Sequence, residues 1–134
     1  MKDSGAERPM VLVVDDEYRV LNEVTEVLAR ANFASHCCAT SGEAFSAVMT
    51  TPPDLILCDV NLQGESGVEL CERIKQQPGL EHVPVMFLSG AQLPDIIRRN
   101  YAAGGTYCLR KPFDSNVLIE LIDQALSVTE TISQ

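Results

Sequence analysis

The chain has 134 residues, enough for one domain whose core needs neither a disulfide nor a structural metal. Its 46% hydrophobic and 22% charged residues are ordinary for a globular protein. The formal net charge of −9 repels phosphate backbones and anionic lipid, so neither nucleic acid nor membrane is expected as a direct partner.

No stretch approaches the roughly 18 uninterrupted apolar residues that a membrane span needs. The start, Met1-Lys2-Asp3-Ser4-Gly5, has no apolar signal core, and a cytoplasmic location is expected. Residues 1–9 are polar and end in Pro9, which reads as a loose leader, and 129–134 read as a polar tail. The domain proper is expected over 10–128.

Met10-Val11-Leu12-Val13-Val14 is a wholly apolar run, as a strand buried on both faces requires, and it stops at Asp15-Asp16-Glu17. Val20, Leu21, Val24, Val27, Leu28 and Ala31 then form a helical stripe. Phe33 to Ala39 reads as a strand, and Thr40-Ser41-Gly42-Glu43 has capping-box spacing that opens a helix through Met49. Pro52-Pro53 ends that helix before a third strand, Leu55-Ile56-Leu57-Cys58. A glycine-bearing loop from Gly64 to Gly67 leads into a helix carrying Val68, Leu70, Cys71 and Ile74. Val83 to Leu88 is the fourth strand. A fourth helix is expected from about Leu93 to Ala103, stopped by Gly104-Gly105. Thr106 to Arg110 is the fifth strand, and Asp114 can cap a last helix faced by Val117, Leu118, Leu121, Ile122, Ala125 and Leu126.

Five strand–helix units in strict alternation imply a parallel sheet with helices on both faces. Right-handed crossovers put every strand-to-helix loop at one edge, and ligands of such open sheets bind there. Asp15, Asp16 and Glu17 follow the first strand, Asp59 the third, Ser89-Gly90 the fourth and Lys111-Pro112 the fifth. Clustered carboxylates repel one another unless a cation sits among them, and a hard, oxygen-ligated ion such as Mg²⁺ suits that set. One carboxylate can then act as a nucleophile towards phosphorus, with the metal and Lys111 neutralising charge on the transferring oxygens. Ser89 can hydrogen-bond a phosphoryl oxygen, and Gly90 leaves room for its approach.

Across roughly residues 9–128 the chain resembles the receiver domains of two-component response regulators. The resemblance rests on Val-Val-Asp-Asp-Glu, Leu-Cys-Asp-Val-Asn, Leu-Ser-Gly and Arg-Lys-Pro-Phe, each following a strand in the family's order. It implies a flavodoxin-like sheet of five parallel strands in the order 2-1-3-4-5. It further implies Asp59 as phosphoacceptor, Mg²⁺ (or Mn²⁺) held by Asp15, Asp16, Asp59 and the backbone carbonyl of Asn61, and phosphoryl contacts from Ser89, Gly90 and Lys111. The Lys111–Pro112 peptide is expected to be cis. The implied donor is a sensor histidine kinase or a phosphotransfer protein. The implied output is a downstream target on the surface of the fourth helix, fifth strand and last helix, with a homodimer formed on phosphorylation left open. Catalysis beyond self-phosphorylation and slow hydrolysis is not expected.

Two positions depart from the family pattern. Receivers usually carry a switch aromatic three residues before the lysine, where this chain has Cys108, with Tyr107 one residue earlier. That offset turns a strand side chain to the opposite face, so Ser89, Cys108 and Tyr107 are the switch positions but the aromatic relay is not carried over. Gln63 stands where the family commonly has proline.

Taken singly, these residues have ordinary explanations. Acids favour helix starts, Asp and Ser cap turns and helices, and most lysines are exposed. Their meeting at one edge is what argues for a site. A pseudo-receiver that keeps the fold without phosphorylation is the alternative. An aspartate-nucleophile phosphohydrolase ranks lower, because Asn61 stands where such enzymes place an acid. A flavin-binding flavodoxin ranks last, for want of a phosphate loop after the first strand. His36 and His82 are read as structural or surface residues, and Leu93, Ile96, Ile97 and Tyr101 as either an exposed signalling face or the apolar face of a plain amphipathic fourth helix. The five cysteines, Cys37, Cys38, Cys58, Cys71 and Cys108, lack metal-site spacing and are expected to be reduced. On a strand, Cys37 and Cys38 would face opposite ways.

Overall fold

Runs too short for helices become the strands of the sheet, the central ones almost wholly hydrophobic. In the computed structural model, which describes residues 8–90 and 107–133, with side chains through 127, these are β1 (Met10–Val14), β2 (Ala34–Cys38) and β3 (Leu55–Asp59). The sheet is completed by β6 (Val85–Ser89) and β7 (Tyr107–Arg110), after a small ribbon of β4 (Asn61–Leu62) and β5 (Glu65–Ser66). The helices are α1 (Tyr18–Arg30), α2 (Ser41–Thr50), α3 (Gly67–Lys75) and α4 (Ser115–Ser133). The five main strands are ordered β2-β1-β3-β6-β7, all in parallel, which is the order 2-1-3-4-5 of the flavodoxin-like fold.

Alternation along the strands divides the core into two. Leu12, Val14, Ile56, Cys58, Val85 and Phe87 pack with Ala44, Ala47 and Val48 of α2 and with Leu70, Cys71 and Ile74 of α3. Their neighbours Val11, Val13, Leu55, Leu57, Met86 and Leu88 pack with Val24 and Leu28 of α1 and with Leu118 and Ile122 of α4. Both faces of the central strands are therefore buried, which is why they read as unbroken hydrophobic runs. Tyr107 and Cys108 divide in the same way, Tyr107 packing on the α1–α4 side and Cys108 on the α2–α3 side.

Caps fix where the helices begin. The Thr40 hydroxyl accepts from the Glu43 amide at 3.1 Å, while the Glu43 carboxylate reaches back one residue beyond the usual capping box, to the Ala39 amide at 2.8 Å. Asp114 Oδ1 accepts from the amides of Asn116 and Val117. α4 continues to Ser133, through residues whose polar composition reads as a tail. No glycine or proline follows Leu126 to stop it.

The glycine-bearing loop is more ordered than its composition implies. β4 and β5 pair antiparallel around Gln63 and Gly64, with φ of 46° and 87°. Two successive positive φ values are what a tight two-residue hairpin requires. Proline, locked near −65°, cannot occupy position 63 in this turn, which accounts for glutamine there. All five cysteines are free thiols. Among the described residues, no helix is long and apolar enough to cross a membrane. The expected fourth helix, its Leu93–Tyr101 face, the Gly104-Gly105 stop and residues 1–7 of the leader lie outside the described residues.

Candidate functional site

Because the sheet is parallel, the carboxyl ends of β1, β3, β6 and β7 lie along one edge, and the chain leaves each of them with a polar residue. Asp15 follows β1 directly, its amide bonded to the Cys38 carbonyl of β2 at 3.1 Å. Asp59 is the last residue of β3, and Ser89 the last of β6. Lys111 follows β7, its amide held by the Ser89 carbonyl at 2.8 Å, and the Lys111–Pro112 peptide is cis.

These placements bring the side chains together. Lys111 Nζ donates to Asp15 Oδ2 at 2.7 Å, to Asp59 Oδ2 at 2.8 Å and to Glu17 Oε1 at 3.3 Å. Asp15 Oδ1 accepts from the Glu17 amide and Asp59 Oδ1 from the Asn61 amide, both at 2.9 Å. Both oxygens of each buried aspartate are thus anchored. Carboxylate oxygens of Asp15, Asp16 and Asp59 lie within 4.8 Å of one another. Ser89 is buried at the same edge, and a side chain at Gly90 would meet open space.

Burial is the largest influence on Asp15. It raises the carboxyl above its usual range, against the opposing pull of the Lys111 ammonium. Burial on its own would lower the Lys111 pKa, but hydrogen bonds and charge from Asp15 and Asp59 outweigh it and hold the ammonium firmly protonated. Among the described residues, Lys111 is paired with the carboxylates of Asp15, Glu17 and Asp59, and Asp16 adds a further acid beside Asp15 and Asp59. The remaining negative charge is a feature a divalent cation would relieve. The donor set fits a hard ion: three carboxylates from two loops, with no nitrogen or sulfur ligand among them.

Of the residues picked out from the sequence, Asp15, Asp16, Asp59, Ser89 and Lys111 share this edge, and Asn61 joins through its amide. Cys108 is half-buried on the α2–α3 face. His36 and His82 are exposed, and neither belongs to the cluster.

Two contributions are not apparent in the sequence. Glu17 reads there as the third acid of a run, yet it reaches Lys111. Gly67 reads as a loop glycine, yet a Cβ there would lie 1.9 Å from the Asp59 carbonyl oxygen and 3.0 Å from Cys58 Sγ. Only glycine lets α3 begin this close to the end of β3. Its amide also donates to the Val60 carbonyl at 2.9 Å. A lone glycine at a helix start carries no signal of such an approach.

The same fold is found in proteins of known kind. The model of the response regulator receiver domain matches residues 11–123. The DNA-binding transcriptional regulator NtrC of Klebsiella pneumoniae is 27% identical over 121 residues, 90% of this chain but 25% of the regulator. The chain thus spans about a quarter of that relative's length. Sporulation initiation phosphotransferase F of Bacillus subtilis is 26% identical over 116 residues, 87% of this chain and 92% of that protein. The crystal structure of chemotaxis protein CheY4 of Vibrio cholerae superposes with a TM-score of 0.81 at 25% identity, covering 89% of this chain and 99% of that one. A family match over nearly the whole described fold, on a chain whose acids and lysine meet at the sheet edge, leads to one conclusion: this protein belongs to the response regulator receiver domain family, the signal-receiving module of two-component systems.

Proposed function

We propose that the chain receives a phosphoryl group on Asp59 and passes the signal on by a change in the surface it offers to partners. The observation that carries this reading is the Lys111 ammonium held 2.8 Å from Asp59 and 2.7 Å from Asp15, inside a cluster of three aspartates. Asp59 is the nucleophile, its side chain 11% exposed at the sheet edge, and its anchored Oδ1 fixes its direction. In the step itself a carboxylate oxygen of Asp59 bonds to the phosphorus of a phosphohistidine donor. The phosphorus–nitrogen bond breaks, the imidazole leaves with the electron pair, and an acyl phosphate forms. Lys111 offsets the charge of the transferring oxygens, and Ser89 donates to one of them. Hydrolysis of the acyl phosphate resets the domain.

Asp15, Asp16, Asp59 and the backbone carbonyl of Asn61 would hold Mg²⁺, or Mn²⁺ with similar ligand preferences. A bound ion of this kind supplies positive charge to phosphoryl oxygens. The donor is a histidine kinase or a phosphotransfer protein. The target binds through β7, α4 and the segment between β6 and β7. Catalysis is limited to the domain's own phosphorylation and slow hydrolysis, since Asn61 has no proton to give a leaving group. The output signal is a population shift, in which the phosphoryl group binds one conformation better than another.

Intact mass spectrometry after treatment with acetyl phosphate and Mg²⁺ tests this. One phosphoryl group should add to the wild type, none with a chelator present, and none to Asp59→Asn. The same mass on Asp59→Asn would move the acceptor elsewhere.

A further inference from the structure

An ammonium has three N–H donors, and in Lys111 each already has a carboxylate acceptor: Asp15, Asp59 and Glu17. While Asp59 is still a free carboxylate, an incoming phosphoryl oxygen cannot be added to this set without displacing one of them. The three acceptors are unequal. The Asp15 side chain is fully buried and bonded at 2.7 Å, and Asp59 is bonded at 2.8 Å with its side chain 11% exposed. Glu17 has the longest contact, 3.3 Å, and a side chain 53% exposed. An exposed carboxylate returns to water at little cost, while releasing a buried one leaves charge uncompensated.

Among the described residues, Lys111 is the one side chain that Glu17 bonds. Glu17 occupies the N-cap position of α1, yet its side chain makes no capping hydrogen bond. Its backbone is fixed, with the amide on Asp15 Oδ1 and the carbonyl accepting from the amides of Val20 and Leu21. Leaving Lys111 therefore takes a change of side-chain rotamer and no movement of the helix.

We propose that Glu17 is a displaceable placeholder for the incoming phosphodonor, occupying the Lys111 donor that a phosphoryl oxygen takes before its phosphorus bonds to Asp59. The inference rests on the reading of Asp59 as phosphoacceptor and adds a regulator of that site. Glu17 holds the lysine in place in the resting domain, and an approaching phosphodonor has to displace it. Glu17 is thus a positioning residue, acting through Lys111 without touching phosphorus. Its identity sets how readily the domain responds to a given amount of donor.

The test compares wild type, Glu17→Ala and Glu17→Asp, in the full chain with Mg²⁺. The readouts are the acetyl phosphate concentration giving half-maximal phosphorylation rate and the maximal rate. Glu17→Ala should lower the half-maximal concentration by about two- to fivefold, the range of an exposed ion pair, with the maximal rate nearly unchanged. Glu17→Asp keeps the charge but is one methylene too short to hold Lys111. It should shift in the same direction as Glu17→Ala. If Glu17→Asp matches wild type, the effect is one of general charge and the placeholder is wrong; if both variants match wild type, no displacement occurs. A wild type that takes no phosphoryl group at all would instead overturn the phosphoacceptor reading, and this inference with it. Unfolding midpoints of the two variants should stay close to that of wild type, since each loses one half-exposed ion pair and no cap.

Discussion

Cys37 and Cys38 are neighbours in the chain with opposite surroundings: Cys37 is exposed and Cys38 is 2% exposed, against α2. Burial first, then the charge of Glu43, then Cys37, push the Cys38 thiol from 9.0 to about 11. The folded chain thus holds the thiol proton more tightly than the unfolded chain. The resulting stability is complete below pH 9 and is lost as pH rises from 9 through 11. Urea unfolding at about pH 8 and about pH 11 should register a loss of about 2 kcal/mol from this group alone. In Cys38→Ala the fall between those pH values should shrink by that amount, and an unchanged fall would contradict the burial argument. Residue identities also delimit what could be read without coordinates. Asp59, Asp15 and Lys111 stand out because each follows a strand. Glu17 lies two residues beyond Asp15, where an acid reads equally as part of the helix start, and nothing in its spacing shows that it reaches Lys111.

At the scale of elements, the segment from β3 to α3 determines where Asp59 sits. The ribbon of β4 and β5 is fastened at its far end, where the Ser41 hydroxyl at the start of α2 donates to Glu65. α3 then starts against the end of β3, at a distance that leaves no room for a Cβ at Gly67. Gly67→Ala should force the Asp59 backbone or α3 to shift, costing about 1–3 kcal/mol in urea unfolding. Phosphoryl uptake from acetyl phosphate should fall by about tenfold or more, since misplaced reacting groups lose rate steeply. Gly64→Ala is the contrast. Its φ of 87° makes alanine strained, but nothing lies within 4 Å, so it should cost stability and leave Asp59 in place. Normal uptake by Gly67→Ala would mean that the close approach does not position Asp59. The ribbon itself was not legible as structure, because a Gln-Gly turn between two-residue strands has too little pattern to separate it from a loop.

For the whole molecule, topology creates the site. β1, β3, β6 and β7 are adjacent and parallel, so residues far apart in sequence leave the sheet at the same edge. The five main strands were legible because burial on both faces makes β1, β3 and β6 almost purely apolar, and the capped helices between them were legible from their stripes. The order of the strands was not, since periodicity says which segments are strands and nothing about their neighbours; it came with the family resemblance. Cys108 and Tyr107 lie on opposite faces of the sheet, so Tyr107 does not share the face that Cys108 occupies. The identity of the acceptor can be read directly, because borohydride reduces an aspartyl phosphate to homoserine, which peptide mass spectrometry locates. After acetyl phosphate and Mg²⁺, homoserine should appear at position 59 alone. Homoserine at position 15 or 16, or phosphate retained on His36 or His82, would contradict the assignment of Asp59.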